Sequence, residues 1–160
     1  MAAVDVDYRE GYAVAACVTF AEWGAAAAAA ERTVRVERVE PYEPGAFYKR
    51  ELPCLLAVLE GVDAGVVVVD GYVWLDAGKR GLGAHLHEAR ASRGAVIGVA
   101  KSAYAGAPGV PVSRGSSAQP LWVTAAGIDV DEAARAVKAM HGEHRMPTLL
   151  RHVDALCRRP

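Results

Sequence analysis

Cysteine is scarce in this chain. Cys17, Cys54 and Cys157 stand isolated in apolar surroundings. With no Cys-x-x-Cys pair and no Cys/His ligand spacing, neither a disulfide framework nor a structural zinc site is expected. No apolar run approaches membrane-spanning length and no charged-then-apolar leader opens the chain, so no membrane partner is expected and the cytoplasm is the expected compartment. Excess charge of one sign is also missing: the net charge is −1, which gives no global footprint for a polyanion. An acidic cluster lowers the formal charge, however, and is neutralised when a cation binds.

What is present suits a globular protein. The 160 residues, 52% apolar and 23% charged, are enough for one hydrophobic core, and a single domain over 1–160 is expected. The alanine run at 25–30 reads as a surface connection. Residues 2–8, 12–23 and 33–39 read as three strands of an antiparallel meander, and the turn Pro41-Tyr42-Glu43-Pro44-Gly45 then breaks the pattern. A helix is expected over 47–60 with Leu52, Leu55, Leu56 and Leu59 on its buried stripe. Val66-Val67-Val68-Val69 reads as a strand buried on both faces. A glycine-rich loop at 78–83, a helix over 82–91 and a strand over 95–100 follow. An irregular stretch at 102–120 leads to a strand over 121–124. Asp129 with Glu132 caps a helix over 130–141, and a last helix over 148–157 follows Pro147. The order predicts an α/β domain with a mixed sheet, antiparallel meander plus parallel strands, and helices on both faces.

Widely separated carboxylates sit where regular elements would hold them still: Asp5 in Ala3-Val4-Asp5-Val6, Glu51 in Arg50-Glu51-Leu52, and Asp70 at the end of the valine run. A carboxylate at the end of an apolar strand is costly to desolvate without a cation. Several converging on one point suit a hard divalent ion with oxygen ligands, magnesium or manganese, and so metal-assisted phosphoryl chemistry. Alternation places Asp7 on the same strand face as Asp5, so pattern alone does not choose between them.

An acid in the first strand, another after the fourth and one on the last helix is the layout of ribonuclease-H-like nucleases. The motifs Pro41-Tyr42-Glu43-Pro44-Gly45, Arg50-Glu51, Val69-Asp70-Gly71, Gly81-Leu82-Gly83-Ala84-His85 and Ile97-Gly98-Val99-Ala100-Lys101, then Pro120-Leu121-Trp122-Val123-Thr124 and Arg145-Met146-Pro147, together and in order resemble the endonuclease V family over nearly the whole chain. The resemblance implies a magnesium-dependent endonuclease, with manganese able to substitute, that cuts DNA or RNA 3′ to deoxyinosine or inosine. It implies Asp5, Glu51, Asp70 and Asp154 as metal ligands and Lys101 as a cation at the phosphate or the acids. It also implies Tyr42 as a wedge entering the duplex, Gly71 at a base pocket, Lys79 and Arg80 in a basic loop near the backbone, and His85 near the phosphate. His87, His141, His144 and His152 lack ligand geometry.

The chain departs from the family pattern where Val73 replaces a second glycine after Gly71, where Ile128 replaces a histidine, and where Pro147-Thr148-Leu149-Leu150-Arg151 reduces a longer motif. These departures spare the carboxylates and fall on the expected base-reading wall. Two rival readings stay open: a nucleic-acid-binding homologue without catalysis, and a phosphoesterase acting on small nucleotides with the same acids.

Overall fold

Strand β1 (Ala2–Arg9) lies inside the sheet, where its antiparallel and parallel parts meet, and the computed structural model describes residues 1–37, 39–41 and 43–159 around it. It pairs antiparallel with β2 (Tyr12–Thr19), which pairs antiparallel with β3 (Ala30–Val36), giving the expected meander. On its other side β1 runs parallel to β4 (Val66–Asp70), and β4 runs parallel to β5 (Ala95–Ala100). β7 (Leu121–Ala126) returns antiparallel to β5, and β6 (Val110–Val112) closes the edge. Among the described residues these seven strands form one sheet in the order β3-β2-β1-β4-β5-β7-β6. The mixed sheet expected from the sequence is present.

Four helices cover the two faces. α1 (Phe47–Leu59) packs on β1, β2 and β3 and against α2 (Leu82–Ala89), which lies on β5 and β7. α3 (Val130–Ala139) packs on β6 and β7, and α4 (Thr148–Cys157) crosses β1 and β2. Strand alternation sorts the core accordingly. Ala2, Val4, Val67 and Val69 join the cluster under α1 and α2, whereas Ala3, Val68, Ile97 and Val99 join the cluster under α3 and α4. The side chain of Asp129 accepts hydrogen bonds from the N–H groups of Asp131 and Glu132, so α3 begins at its expected cap.

Four elements differ from the pattern reading, and the first is β3, which spans Ala30–Val36 rather than 33–39 and so begins in the last residue of the alanine run. β2 stops at Thr19, because Phe20 turns into a T-shaped contact with Trp23 rather than continuing the strand. The stretch at 102–120 contains β6, too short at three residues to show a period. In α1 the buried side is Glu51, Cys54, Leu55, Val58 and Leu59, while Leu56 is exposed. The stripe is rotated toward Glu51, which places an acid on the core-facing side of the helix.

Candidate functional site

The register of the parallel strands brings the first two acids together. Val4 of β1 is level with Val69 of β4, the last such pair, so Asp5 and Asp70 each follow by one residue at the same end of the sheet. Asp70 is in turn level with Val99 of β5, two residues before Lys101. All three side chains therefore lie at the carboxyl ends of neighbouring parallel strands, the crevice where open α/β sheets bind ligands. By alternation Asp5 and Asp70 share the face of Ala3 and Val68, under α4. From α4 comes Asp154, one turn before the helix ends, so that Asp5, Asp70, Lys101 and Asp154 line one small cleft of about 60 Å³ with Met146 and Arg151.

Glu51 reaches the same strand ends from the opposite face. It is 5% exposed, and its carboxyl is pushed up to about 8 by burial, with the Asp5 and Asp70 carboxylates acting in the same direction. Burial likewise pushes the Asp5 carboxyl up to about 7. The N–H of Val6, which donates to it at 2.9 Å, opposes that rise, and Asp70 and Asp154 reinforce it. The four acids thus feel one another across the edge of the sheet. Lys101 answers part of this charge, its Nζ donating to the Oδ2 of Asp70 at 2.6 Å. Burial alone would lower the lysine pKa, but Asp70, with Asp5 and Asp154 behind it, holds it above the usual value. Asp7, the competitor on β1, is engaged elsewhere: its carboxylate pairs with Arg9 at 3.0 Å.

Among the described residues no three Asp, Glu, His or Cys side chains are gathered closely enough to hold an ion as they stand. Asp154 is drawn outward to Arg158 at 2.9 Å, and Asp70 is drawn to Lys101. The chemistry of the donor set nevertheless fits a hard divalent cation: every donor is a carboxylate oxygen, Glu51 is buried and Asp5 half-buried, and among the described residues no ion pair holds either, Arg50 only partly offsetting the charge at Glu51.

A second cleft, of about 260 Å³, opens on the other side of Asp70. Its walls include Gly71, Lys79 and Arg80 together with Phe47, Tyr48, Tyr72 and Tyr104, four of the chain's eleven aromatic residues. The Tyr72 hydroxyl donates to the carbonyl of Ser102 at 2.8 Å and accepts from the N–H of Tyr104 at 3.1 Å, which fixes that wall. Gly71 adopts φ +126°, where a side chain would be strained. Its carbonyl lies where a Cβ on Gly98 would come within 2.5 Å of it, and the same Cβ would lie 2.8 Å from the N–H nitrogen of Val73. That nitrogen donates to the buried hydroxyl of Thr124 at 2.8 Å. Gly98 and Thr124, on β5 and β7, thus hold the backbone of the cleft from beneath.

Two of the departures from the family pattern, Val73 and Ile128, fall off this cleft, whereas the third, Pro147 to Arg151, brings Leu150 and Arg151 to the lining of the acid cleft. Val73 is fully buried under α2, where a Cβ on Gly83 would meet its Cγ2 at 2.6 Å, so its side chain points into the core. Ile128 follows β7, whose end at Ala126 is level with Val96 at the start of β5, the far end of the sheet from Lys101.

His85 is not brought to the acids; its ring stacks on Tyr48 at 3.6 Å and 10°, and burial and the nearby Arg80 lower its pKa. The loop carrying Lys79 and Arg80 is tied back on itself: the Asp76 carboxylate accepts from the N–H groups of Gly78 and Lys79, and Arg80 pairs with Glu88 at 2.5 Å. Tyr42, expected as a wedge, lies outside the described residues. The four aromatic walls, Thr124 and Gly98 do not emerge from motif reading. The concentration of scarce aromatic residues on either side of Asp70 was the available signal.

The family model for endonuclease V matches residues 1–127. Endonuclease V of Streptomyces avermitilis is 32% identical over 81% of this chain, and the chain spans 66% of that relative's length, just under two thirds. A crystal structure of endonuclease V from S. avermitilis superposes with a TM-score of 0.77 at 30% identity, covering 99% of this chain and 79% of that one. The Ciona intestinalis endonuclease V, solved with a 24-mer DNA containing an inosine followed by a ribo-adenosine, has the same fold: its TM-score is 0.77 at 20% identity, over 98% of this chain and 83% of that one.

Proposed function

This chain belongs to the endonuclease V family, and on that premise we propose that it is a metal-dependent endonuclease cleaving a phosphodiester 3′ to inosine in DNA or RNA. The observation that carries the reading is the meeting of Asp5, Asp70 and Asp154 in one cleft, with Glu51 behind them and Lys101 on Asp70. Like charges gathered in a poorly solvated place raise one another's pKa and call for a cation. Asp5, Glu51, Asp70 and Asp154 would hold magnesium, with manganese as a substitute. When bound, the ion supplies a lowered pKa for water and stabilises charge on the attacking and leaving oxygens.

The chain's own residues do the rest. Lys101, which now rests on Asp70, would offer a point charge to a non-bridging phosphate oxygen once Asp70 is engaged by the cation. The cleft beside Asp70 receives the unstacked base. Its aromatic walls supply faces for stacking, and Gly71, without a side chain in the lining, lets the base approach the backbone closely. Lys79 and Arg80 on its rim meet the backbone, and His85 acts through its stack on Tyr48. Because Val73 and Ile128 lie off the cleft, their departures from the family pattern leave room for inosine recognition. The reading places the protein, as one domain, in cytoplasmic repair or inosine processing.

The test is direct. Labelled strands carrying deoxyinosine, ribose-inosine or no lesion are incubated with magnesium, manganese or chelator, and any nick is mapped. Cleavage at the second phosphodiester 3′ to the lesion, only with metal, is expected. Binding without scission under every condition overturns the reading, as does turnover of mononucleotide esters alone.

A further inference from the structure

On the α4 face, at the same end of the sheet as the acids, β1 and β2 project beyond the parallel strands as a hairpin turning at residues 10 and 11. There Arg9, Tyr12, Arg35 and Arg159 border an open cleft of about 450 Å³ beyond the last turn of α4, with no acidic residue in its lining. The elements place these groups in order. Arg9 lies on the strand face of Asp5, four residues further along β1. Arg35 of β3 is level with Val14 of β2, which is level with Asp7. That puts Arg35 about 10 Å across the sheet from Asp7, two strand spacings. Arg158 and Arg159 extend from the helix that carries Asp154.

We infer that this arginine cleft binds the phosphodiester backbone of the polynucleotide on the side of the cut away from the base pocket. The inference rests on the nuclease reading, because it takes the occupant to be the substrate strand itself. The base cleft lies on one side of Asp70 and the arginine cleft on the other side of Asp5, so a strand crossing the acids runs into both. The chemistry is complementary: guanidinium forks match phosphate, and they are the only charges lining the cleft. The arginines are also held ready. The Arg35 guanidinium lies over the Tyr12 ring at 3.8 Å, and Arg9 donates to the carbonyls of Cys157 and Arg159 at 3.2 and 2.6 Å. The carboxylates paired with Arg35 and Arg159 compete weakly, whereas Arg9 stays committed to Asp7 at 3.0 Å and to the end of α4. Arg35 pairs with Glu37 at 2.7 Å on the open surface, and Arg159 approaches Glu31 at only 3.8 Å; such exposed pairs hold with little net energy.

The experiment is fluorescence anisotropy of inosine oligonucleotides with the full chain and the double variant Arg35→Gln/Arg159→Gln, in calcium or chelator to prevent cutting. Arg9 is left in place because it fastens α4. On a long strand the variant is expected to bind about tenfold more weakly. Its plot of log affinity against log salt should be shallower by about 1.4–1.8, two phosphate contacts' worth. Trimming the strand on the side of the cut away from the lesion should shrink the difference between the two proteins progressively. Equal affinities and slopes on the long strand overturn the inference, and so does a loss independent of strand length. A parent that neither binds nor cuts any strand overturns the nuclease reading instead, which keeps the two failures apart.

Discussion

The Lys101 ammonium rests on the Asp70 carboxylate at 2.6 Å, while Arg145 donates to the backbone carbonyl of Lys101 and, at 2.8 Å, to that of Pro120. The lysine is therefore fixed at its root by a second cation and free only at its tip. On the proposed reading it would stand in for the divalent ion at Asp70 and yield when one binds. Lys101→Gln should lower kcat by about 10–100-fold, a loss of roughly 1.4–2.7 kcal/mol of transition-state stabilisation. The half-saturating magnesium concentration should stay level or fall, because the competing charge is gone. Steady-state nicking across a magnesium series checks both, and a higher magnesium requirement would contradict the exchange.

Asp70→Asn removes one carboxylate charge from the acid cleft without changing shape. Nicking is expected to fall by about 10³-fold or more, several kcal/mol of metal-assisted stabilisation, with the circular dichroism spectrum unchanged. A variant that cuts as well as the parent would remove Asp70 from the site.

The raised acids make metal-free stability depend on pH. Carboxyls with ordinary values of 3.8 and 4.5 are held at about 7 for Asp5 and about 8 for Glu51. Between those limits the folded state keeps protons that the unfolded chain has released, so stability must fall as pH rises from about 4 to 8. In chelator the Tm should drop steadily across this window, by about 2–4 °C for each kcal/mol lost. Saturating magnesium should flatten the slope. A Tm that rises over the same range in chelator would count against the arrangement.

Glu51→Gln separates stability from function. It deletes the most deeply buried charge of the four and keeps its volume, so the chelator-treated protein should melt higher at pH 8 than the parent while cutting far more slowly. Differential scanning calorimetry and the nicking assay together check it. A lower Tm at pH 8 would mean that Glu51 is ionised and well partnered.

Gly98→Ala tests the floor of the base cleft. The new Cβ would lie 2.5 Å from the Gly71 carbonyl and 2.8 Å from the Val73 nitrogen, both backbone atoms with little room to give. A loss of about 1–3 kcal/mol is expected, read by urea denaturation, together with a smaller preference for inosine over unmodified strands. Unchanged discrimination would separate this floor from base recognition.

Much of this arrangement was legible in the chain because it rests on local pattern. The four consecutive valines before Asp70 can only suit a strand covered on both sides, and α4 begins and ends where Pro147 and the apolar spacing put it. Elements governed by distant contacts were harder to read. The buried side of α1 was misplaced because four leucines outweigh one glutamate in any apolar pattern. Glu51 faces inward against both burial and the charges of Asp5 and Asp70, a placement no helical period records. β6 exists only as a partner for β7. Arg114, 7% exposed, gave no sign in sequence of its contacts with the backbone carbonyls of residues 140, 142, 144 and 145, at 2.5–3.3 Å. Through them it shapes the connection that delivers α4.

That delivery has a consequence for how the molecule closes. Asp5 enters the chain almost first and Asp154 almost last, and Arg9 then clasps the carbonyls at the end of α4. The final helix must therefore bring a negative charge toward a place already crowded with them. Without a counter-ion that repulsion opposes the packing of α4 on β1, and a divalent ion held as proposed would turn it into a tie between helix and strand.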